Sequence, residues 1–185
     1  AALNPSKSEV ASVLSADDLV TFLPMQRVSS SGLVDSQESR RVSDVWNGFT
    51  YFRRSDVLVA KITPCFENGK GACLDSLPTE IGFGSTEFIV LRSSRAVLPR
   101  YLYRLTTVSA FRHLGADAMM GAAGQQRVPT AFVSNFEMPV PPLPEQAAIV
   151  RYLDHADRKV RHAIRARQRL ITLLTEQKQA IIQRA

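Results

Sequence analysis

The 185-residue sequence has two cysteines and no long apolar run. Cys65 and Cys73 are too few for a disulfide framework and lack the Cys-x-x-Cys spacing of zinc sites, so we predict a reduced protein without a metal. No stretch approaches the roughly 20 apolar residues that a membrane span needs. No basic segment followed by an apolar one suggests a secretory signal. We therefore expect a cytoplasmic location and no membrane partner.

Motifs of several enzyme classes are missing as well. There is no Gly-x-Gly-x-x-Gly, and residues 68–71 (NGKG) lack the full spacing of a P-loop. Residues 140–143 (VPPL) lack the amide or carboxylate that an adenine methyltransferase needs beside its two prolines. The only Glu-x-Lys, at 176–178, is not accompanied by the acidic residues of a nuclease, and the three histidines have no metal-ligand spacing. We predict that this chain has no catalytic residues and no cofactor of its own.

Proline and glycine are absent after Pro144. A proline cluster precedes this segment, and proline is tolerated in the first turn of a helix but not in its interior. The sequence therefore predicts a globular domain over residues 1–140 and a single long helix over residues 141–185.

The first segment has the alternation of short apolar stretches and turn residues that is typical of an α+β domain. We predict strands at 19–23, 57–62, 72–74, 86–91 and 136–140, helices at 99–107 and 108–114, and a loop at 121–124. Gly69, Gly71, Gly82 and Gly84 are predicted to serve turns. Because there is no regular βαβ alternation, a doubly wound nucleotide-binding fold is not expected.

The long helix carries apolar residues in alternating steps of four and three. This heptad pattern predicts that the helix packs against another helix. The residues predicted to make that contact are Ile149, Leu153, Val160, Leu170, Leu174 and Ile181.

Positive charge is distributed unevenly along the chain. Residues 1–144 hold 14 Lys and Arg against 13 Asp and Glu, a balance of +1, whereas residues 145–185 hold 9 against 4, a balance of +5. Within the globular segment, loop residues of the types that contact bases and phosphates are candidates for binding DNA. These candidates are Lys61, Asn68, Lys70, Gln125, Gln126 and Arg127.

Several motifs occur together and in order. They are residues 56–70 (DVLVAKITPCFENGK), 82–91 (GFGSTEFIVL), 121–128 (GAAGQQRV) and 141–146 (PPLPEQ), followed by Ile149 and Leu153. From about Asn4 to its end, the chain resembles the specificity subunit of Type I restriction–modification enzymes. It contains one of the two units that such a subunit usually has.

The resemblance implies a target recognition domain at 1–140 that reads one half of a split site in double-stranded DNA. Residues 141–185 would be the conserved spacer helix, which forms an antiparallel coiled coil. The implied partners are DNA adenine methyltransferase subunits, which bind S-adenosylmethionine, and a restriction and motor subunit. A single unit of this kind is expected to form a homodimer through the helix. Base-reading residues vary within a family, so segments 29–41 and 109–120 are further candidates for specificity.

Two alternatives remain open at this point. The chain could be the recognition domain of a fused methyltransferase or nuclease polypeptide, or a coiled-coil scaffold that does not bind DNA. Neighbouring coding sequence would distinguish the first alternative, and a salt titration of duplex binding would distinguish the second.

Overall fold

The computed structural model describes residues 1–122 and 124–184; Ala123 of the predicted loop and Ala185 of the predicted helix lie outside the described residues. The strands are β1 (Ala2–Leu3), β2 (Leu19–Leu23), β3 (Ser39–Arg41), β4 (Thr50–Arg53), β5 (Val57–Ala60), β6 (Gly71–Cys73), β7 (Ile81–Gly84) and β8 (Phe88–Arg92). The helices are α1 (Val42–Val45), α2 (Pro99–Thr106), α3 (Ser109–Asp117), α4 (Thr130–Asn135) and α5 (Leu143–Arg184). The predicted α+β fold with a long C-terminal helix is confirmed.

The strands form two four-stranded sheets. The first has the order β1-β8-β5-β6 and is antiparallel. The second has the order β3-β2-β7-β4 and contains one parallel pair, β2 with β7. Between β2 and β7 the chain builds β3 to β6, so the two sheets are interleaved along the sequence.

Strand β5 lies between two apolar clusters. All four of its residues are buried, and successive side chains of a strand point to opposite faces. Leu58 and Ala60 belong to a cluster with Phe52 and Leu23 of the second sheet. Val57 belongs to a cluster that includes residues of α2 and α3. The continuous apolar run of β5 therefore reflects burial on both faces.

The glycines of β7 do not serve turns, contrary to our prediction. A Cβ atom on Gly82 would lie 2.2 Å from Cε2 of Phe52, and one on Gly84 would lie 2.4 Å from the carbonyl oxygen of Leu23. Both glycines lie within the strand, which pairs with β2 and β4. They are needed because neighbouring groups approach the backbone too closely for any side chain.

The predicted strand at 136–140 is absent. Residues 136–140 form no regular secondary structure and pair with no strand in the described part of the chain. Phe136 instead packs edge-on against Phe111 of α3, with ring centroids 5.1 Å apart, and the carbonyl of Pro139 accepts a hydrogen bond from Tyr101 Oη at 3.1 Å. The sequence was misleading because the apolar residues Phe136 and Met138 are half-buried by packing against helices and not by a sheet.

The chain divides into two compact units, Ala1–Gln146 and Ala147–Ala185. The globular unit thus extends past residue 140 and includes the first four residues of α5. Gln146 is fully buried in it. The remaining residues of α5 form the second unit, and the whole helix of 42 residues is about 63 Å long at about 1.5 Å per residue.

Candidate nucleic-acid interface

Loops from both sheets meet at one end of the globular unit. Leu23 at the end of β2 is paired with Gly84 at the end of β7, and Ala60 at the end of β5 is paired with Phe88 at the start of β8. Residues 85–87 connect the two sheets at this end. The loops after β5 and β7 therefore lie side by side. We call the surface formed by residues 61–70, 85–87 and 119–127 the loop surface.

Backbone hydrogen bonds join the three segments of the loop surface. The amide of Lys61 donates to the carbonyl of Glu87 at 2.9 Å, and the amide of Thr63 donates to the carbonyl of Gln126, also at 2.9 Å. Met120 and Arg127 exchange two backbone hydrogen bonds of 3.0 and 2.8 Å. These contacts bring Lys61, Gln126 and Arg127 together, although Lys61 and Arg127 are 66 positions apart in sequence. Asn68 and Lys70 follow Lys61 in the same segment, and Gln125 precedes Gln126. Their role in DNA binding remains a prediction.

Arg127 and Glu87 form an ion pair on the loop surface. Nε of Arg127 donates to Glu87 Oε2 at 2.9 Å, and Nη2 donates to Oε1 at 2.7 Å. Nη1 donates to the carbonyl of Gln125 at 3.1 Å. The hydrogen bond from Arg127 holds the pKa of Glu87 below its ordinary value, against the effect of partial burial, and the charge of Lys61 acts in the same direction. Glu87 is therefore ionised at neutral pH.

The other predicted residues differ in how much of each side chain is available. Asn68 and Gln125 are exposed, whereas Lys61 and Gln126 are half-buried. Nζ of Lys70 donates to the carbonyl of Met25 at 3.2 Å, so this ammonium group is partly engaged inside the domain. Asn68, Gln125 and the ion-paired Arg127 are thus the most accessible polar groups among the six.

Two residues of this region were not among the predicted contacts. Arg112 of α3 packs against the turn that contains Gly69, where a Cβ atom would lie 3.3 Å from Arg112 Cδ. In the described part of the chain, Nε of Arg112 and Oε2 of Glu67 are buried without a hydrogen-bond partner. Arg112 lies in segment 109–120, which the sequence marked as a further candidate for specificity. No sequence pattern identified Glu67.

The opposite end of the sheets holds a different set of charges. The guanidinium of Arg92 contacts the carboxylates of Asp56 and Glu9, and Glu9 also accepts from Tyr51 Oη at 2.9 Å. The hydrogen bond from Arg92 lowers the pKa of Glu9, against the effect of partial burial. This network neutralises Arg92 within the domain, so it is a structural feature and a poor anion-binding site.

No group of three or more metal-binding side chains occurs among the described residues. Within that same part of the chain, no helix is long and apolar enough to cross a membrane.

Helix α5 carries a broader apolar surface than the heptad pattern indicated. Consecutive helical residues are about 100° apart, so its apolar residues fall largely within an arc of about 120°. This stripe comprises Val160, Ala163, Ile164, Leu170, Ile171, Leu174, Ile181 and Ile182, all of which are exposed. Ile164, Ile171 and Ile182 were not among the predicted contacts. An arc of this width exceeds the narrow contact surface of a two-stranded coiled coil.

The globular unit is thus a mixed two-sheet domain with a polar loop surface, and α5 carries an exposed apolar stripe. The chain belongs to the family of the Type I restriction modification DNA specificity domain, whose model matches residues 48–171. The prediction from the sequence motifs is thereby confirmed.

Curated relatives include two specificity subunits of Escherichia coli. The chain is 39% identical over 133 residues to the Type I restriction enzyme EcoAI specificity subunit, a match that covers 71% of this chain and 23% of the relative. It is also 39% identical over 135 residues to the Type I restriction enzyme EcoEI specificity subunit, a match that covers 71% of this chain and 22% of that relative. The chain thus spans about a quarter of the length of these relatives.

Solved structures show the same fold at lower sequence identity. The HsdS subunit from Thermoanaerobacter tengcongensis superposes with a TM-score of 0.69 at 22% identity, covering 82% of this chain and 39% of that one. A chain from a structural study of complex assembly and conformational transition of the type I R-M system superposes with a TM-score of 0.66 at 24% identity. This match also covers 82% of this chain and 39% of that one.

Proposed function

We propose that this chain is a non-catalytic DNA-recognition unit of a Type I restriction–modification system, which reads one half of a bipartite site in double-stranded DNA. The observation that carries this proposal is the loop surface, where backbone hydrogen bonds join the segments that hold the six candidate residues on a family domain. Its side chains combine cationic groups for phosphates with amide groups for base edges.

DNA binding is tested by a salt titration. A family of duplexes from a randomised library is bound to the full chain, and the selected site is then measured at several salt concentrations. We expect sequence preference together with a steep linear fall of log K against log salt, since bound phosphates release counterions. No salt-dependent binding, even with the methyltransferase subunit present, would support a scaffold that does not bind DNA.

We also propose that α5 assembles the complex. The exposed apolar stripe supports antiparallel pairing with an equivalent helix, which would come from a second copy if the chain is a natural half-subunit. Because the stripe is about 120° wide, one partner helix leaves part of it uncovered. That remaining surface is suited to docking of a DNA adenine methyltransferase subunit, which would hold S-adenosylmethionine, and a restriction and motor subunit would join the same assembly.

Assembly is tested by sedimentation and co-purification. The full chain is expected to sediment as a dimer at micromolar concentration and to retain the methyltransferase subunit from the same genome. A monomer at high concentration would contradict pairing through a second copy. The curated relatives are specificity subunits, which favours a separate subunit over a fused enzyme, and a catalytic domain encoded in the same reading frame would contradict this. A cytoplasmic location follows from the proposed role.

A further inference from the structure

The ion pair of Arg127 and Glu87 leaves a defined part of the guanidinium group free. An arginine side chain has five N–H donors. One on Nε and one on Nη2 are bound by the Glu87 carboxylate, and one on Nη1 is bound by the carbonyl of Gln125. Within the described residues, one N–H on Nη1 and one on Nη2 have no hydrogen-bond partner. Two donors on the terminal nitrogens are what a bidentate contact to O6 and N7 of guanine requires.

Both partners of the pair are held by the backbone of the domain. Arg127 is fixed by its two hydrogen bonds with Met120. Glu87 is fixed by the amide of Lys61, which donates to its carbonyl, and by its own amide, which donates to Ser85 Oγ at 3.2 Å. Because Glu87 and the carbonyl of Gln125 already bind three of its N–H groups, the guanidinium loses little conformational freedom on binding, while the side chain remains 44% exposed.

The charge of the pair argues against a phosphate contact. Glu87 is ionised and neutralises Arg127, so the pair as a whole attracts phosphate weakly. A residue that only bound the backbone of DNA would gain nothing from an adjacent carboxylate. A residue that reads a base gains a fixed orientation from it.

We propose that Arg127 reads a guanine in the major groove through its two free N–H groups, with Glu87 as the residue that positions the guanidinium. This inference rests on the proposed function and adds the base and the residues that recognise it.

The test combines changes in the protein with changes in the DNA. A site selected by the full wild-type chain is rebuilt with 7-deazaguanine at each guanine in turn, which removes the N7 acceptor. At one position we expect affinity to fall by about five- to a hundredfold in the wild type. The same replacement should have a weaker effect on Arg127→Lys, whose flexible ammonium group keeps the charge but lacks the planar fork.

Salt dependence separates this role from a purely structural one. Arg127→Lys should keep the wild-type salt slope. Glu87→Gln should reduce discrimination at the same guanine while its slope becomes steeper by about one, because the arginine is no longer neutralised and can engage a phosphate. Arg54→Lys is the matched control. Arg54 pairs with Glu80 at the end of the second sheet opposite the loop surface, and this variant should leave preference and slope unchanged.

Other outcomes overturn the proposal. Undiminished sensitivity to 7-deazaguanine in Arg127→Lys would assign the guanine to another residue, and an equal loss of affinity for all sequences would make Arg127 a phosphate contact. A selected site without guanine would overturn the inference and leave the proposed function intact. If the wild type shows no sequence preference at all, the proposed function itself fails. Thermal melting monitors folding, and the comparison of wild type with Arg127→Lys is sufficient if Glu87→Gln does not fold.

Discussion

The carboxylate of Asp56 accepts hydrogen bonds from both Nε and Nη2 of Arg92, each 2.8 Å long. Asp56 immediately precedes β5, and Arg92 ends β8, so the pair closes these two strands at the end opposite the loop surface. The side chain of Asp56 is 2% exposed and also accepts from the backbone amide of Arg53 at 2.8 Å. One buried carboxylate thus satisfies three donors from two strands.

Asp56→Asn should destabilise the globular unit by about 2 kcal/mol, because Arg92 loses its buried charged acceptor and keeps only the more exposed Glu9. The free energy of unfolding in urea measures this. Asp17→Asn is the matched control because Asp17 pairs with Arg41 at 3.2 Å on an exposed surface, and it should cost below about 1 kcal/mol. Equal costs for the two variants would show that burial of Asp56 has no energetic consequence.

Gln146 fixes the first turn of α5 within the globular unit. Its Nε2 donates to the carbonyls of Ala96 and Pro141 at 2.8 and 2.7 Å, and its Oε1 accepts from the amide of Leu98 at 2.9 Å. Gln146→Leu leaves these buried groups without partners and should cost about 3 kcal/mol of unfolding free energy. Gln179→Leu, on an exposed position of α5, should cost little. A Gln146 variant as stable as the wild type would contradict this account.

Cys73 should resist alkylation in the folded protein. Burial raises the pKa of its thiol to about 12, with a further contribution from the charge of Asp75. Since the thiolate is the reactive form, only about one thiol in ten thousand is ionised at pH 8. Mass spectrometry after iodoacetamide treatment should find Cys73 unmodified in the native chain and modified in urea. Rapid modification of native Cys73 at pH 8 would contradict the prediction.

At acidic pH, the free energy of unfolding should depend on the ion pair of Arg127 and Glu87 at the loop surface. The hydrogen bond from Arg127 lowers the pKa of Glu87 from its ordinary 4.5. A carboxyl group whose pKa is lowered in the folded state stabilises that state at pH values above its ordinary pKa. This stabilisation is lost as the pH falls below about 4.5 and passes through the lowered pKa. Carbon-13 NMR of the Glu87 carboxyl should show a midpoint below 4.5 in the wild type and a higher one in Arg127→Gln. The same midpoint in both would rule out the pair in solution.

Local patterns were sufficient for the elements with strong periodicity. The strand at Leu19–Leu23 and the helix at Pro99–Thr106 follow from apolar spacing and from the first-turn preference of proline. Strand β7 (IGFG) was missed, because its two glycines suggest turns when the approach of Phe52 and Leu23 is unknown.

The site required information that single-sequence patterns do not carry. Loop composition indicated Arg127 as a candidate. Its partner Glu87 lies 40 positions earlier, and the two residues come together only because loops of both sheets meet at the loop surface. Gln146 was part of a quoted motif, yet two of its three hydrogen bonds depend on residues 48 and 50 positions earlier. Contacts of this kind depend on the topology of the fold, whereas a local stretch of sequence shows only the periodicity of its own helix or strand.

The apolar stripe of α5 gives a sharp test of assembly, because the helix places two equally exposed leucines side by side. Leu174 is 54% exposed and lies within the stripe, whereas Leu173 is 52% exposed and lies about 60° beyond its edge. Leu174→Asp should convert the dimer to a monomer in sedimentation, since a charge cannot be buried unpaired between helices. Leu173→Asp adds the same charge at a neighbouring position and should leave the dimer intact. If both variants dissociate equally, general charge repulsion and not the stripe controls association; if neither does, α5 pairs through another face.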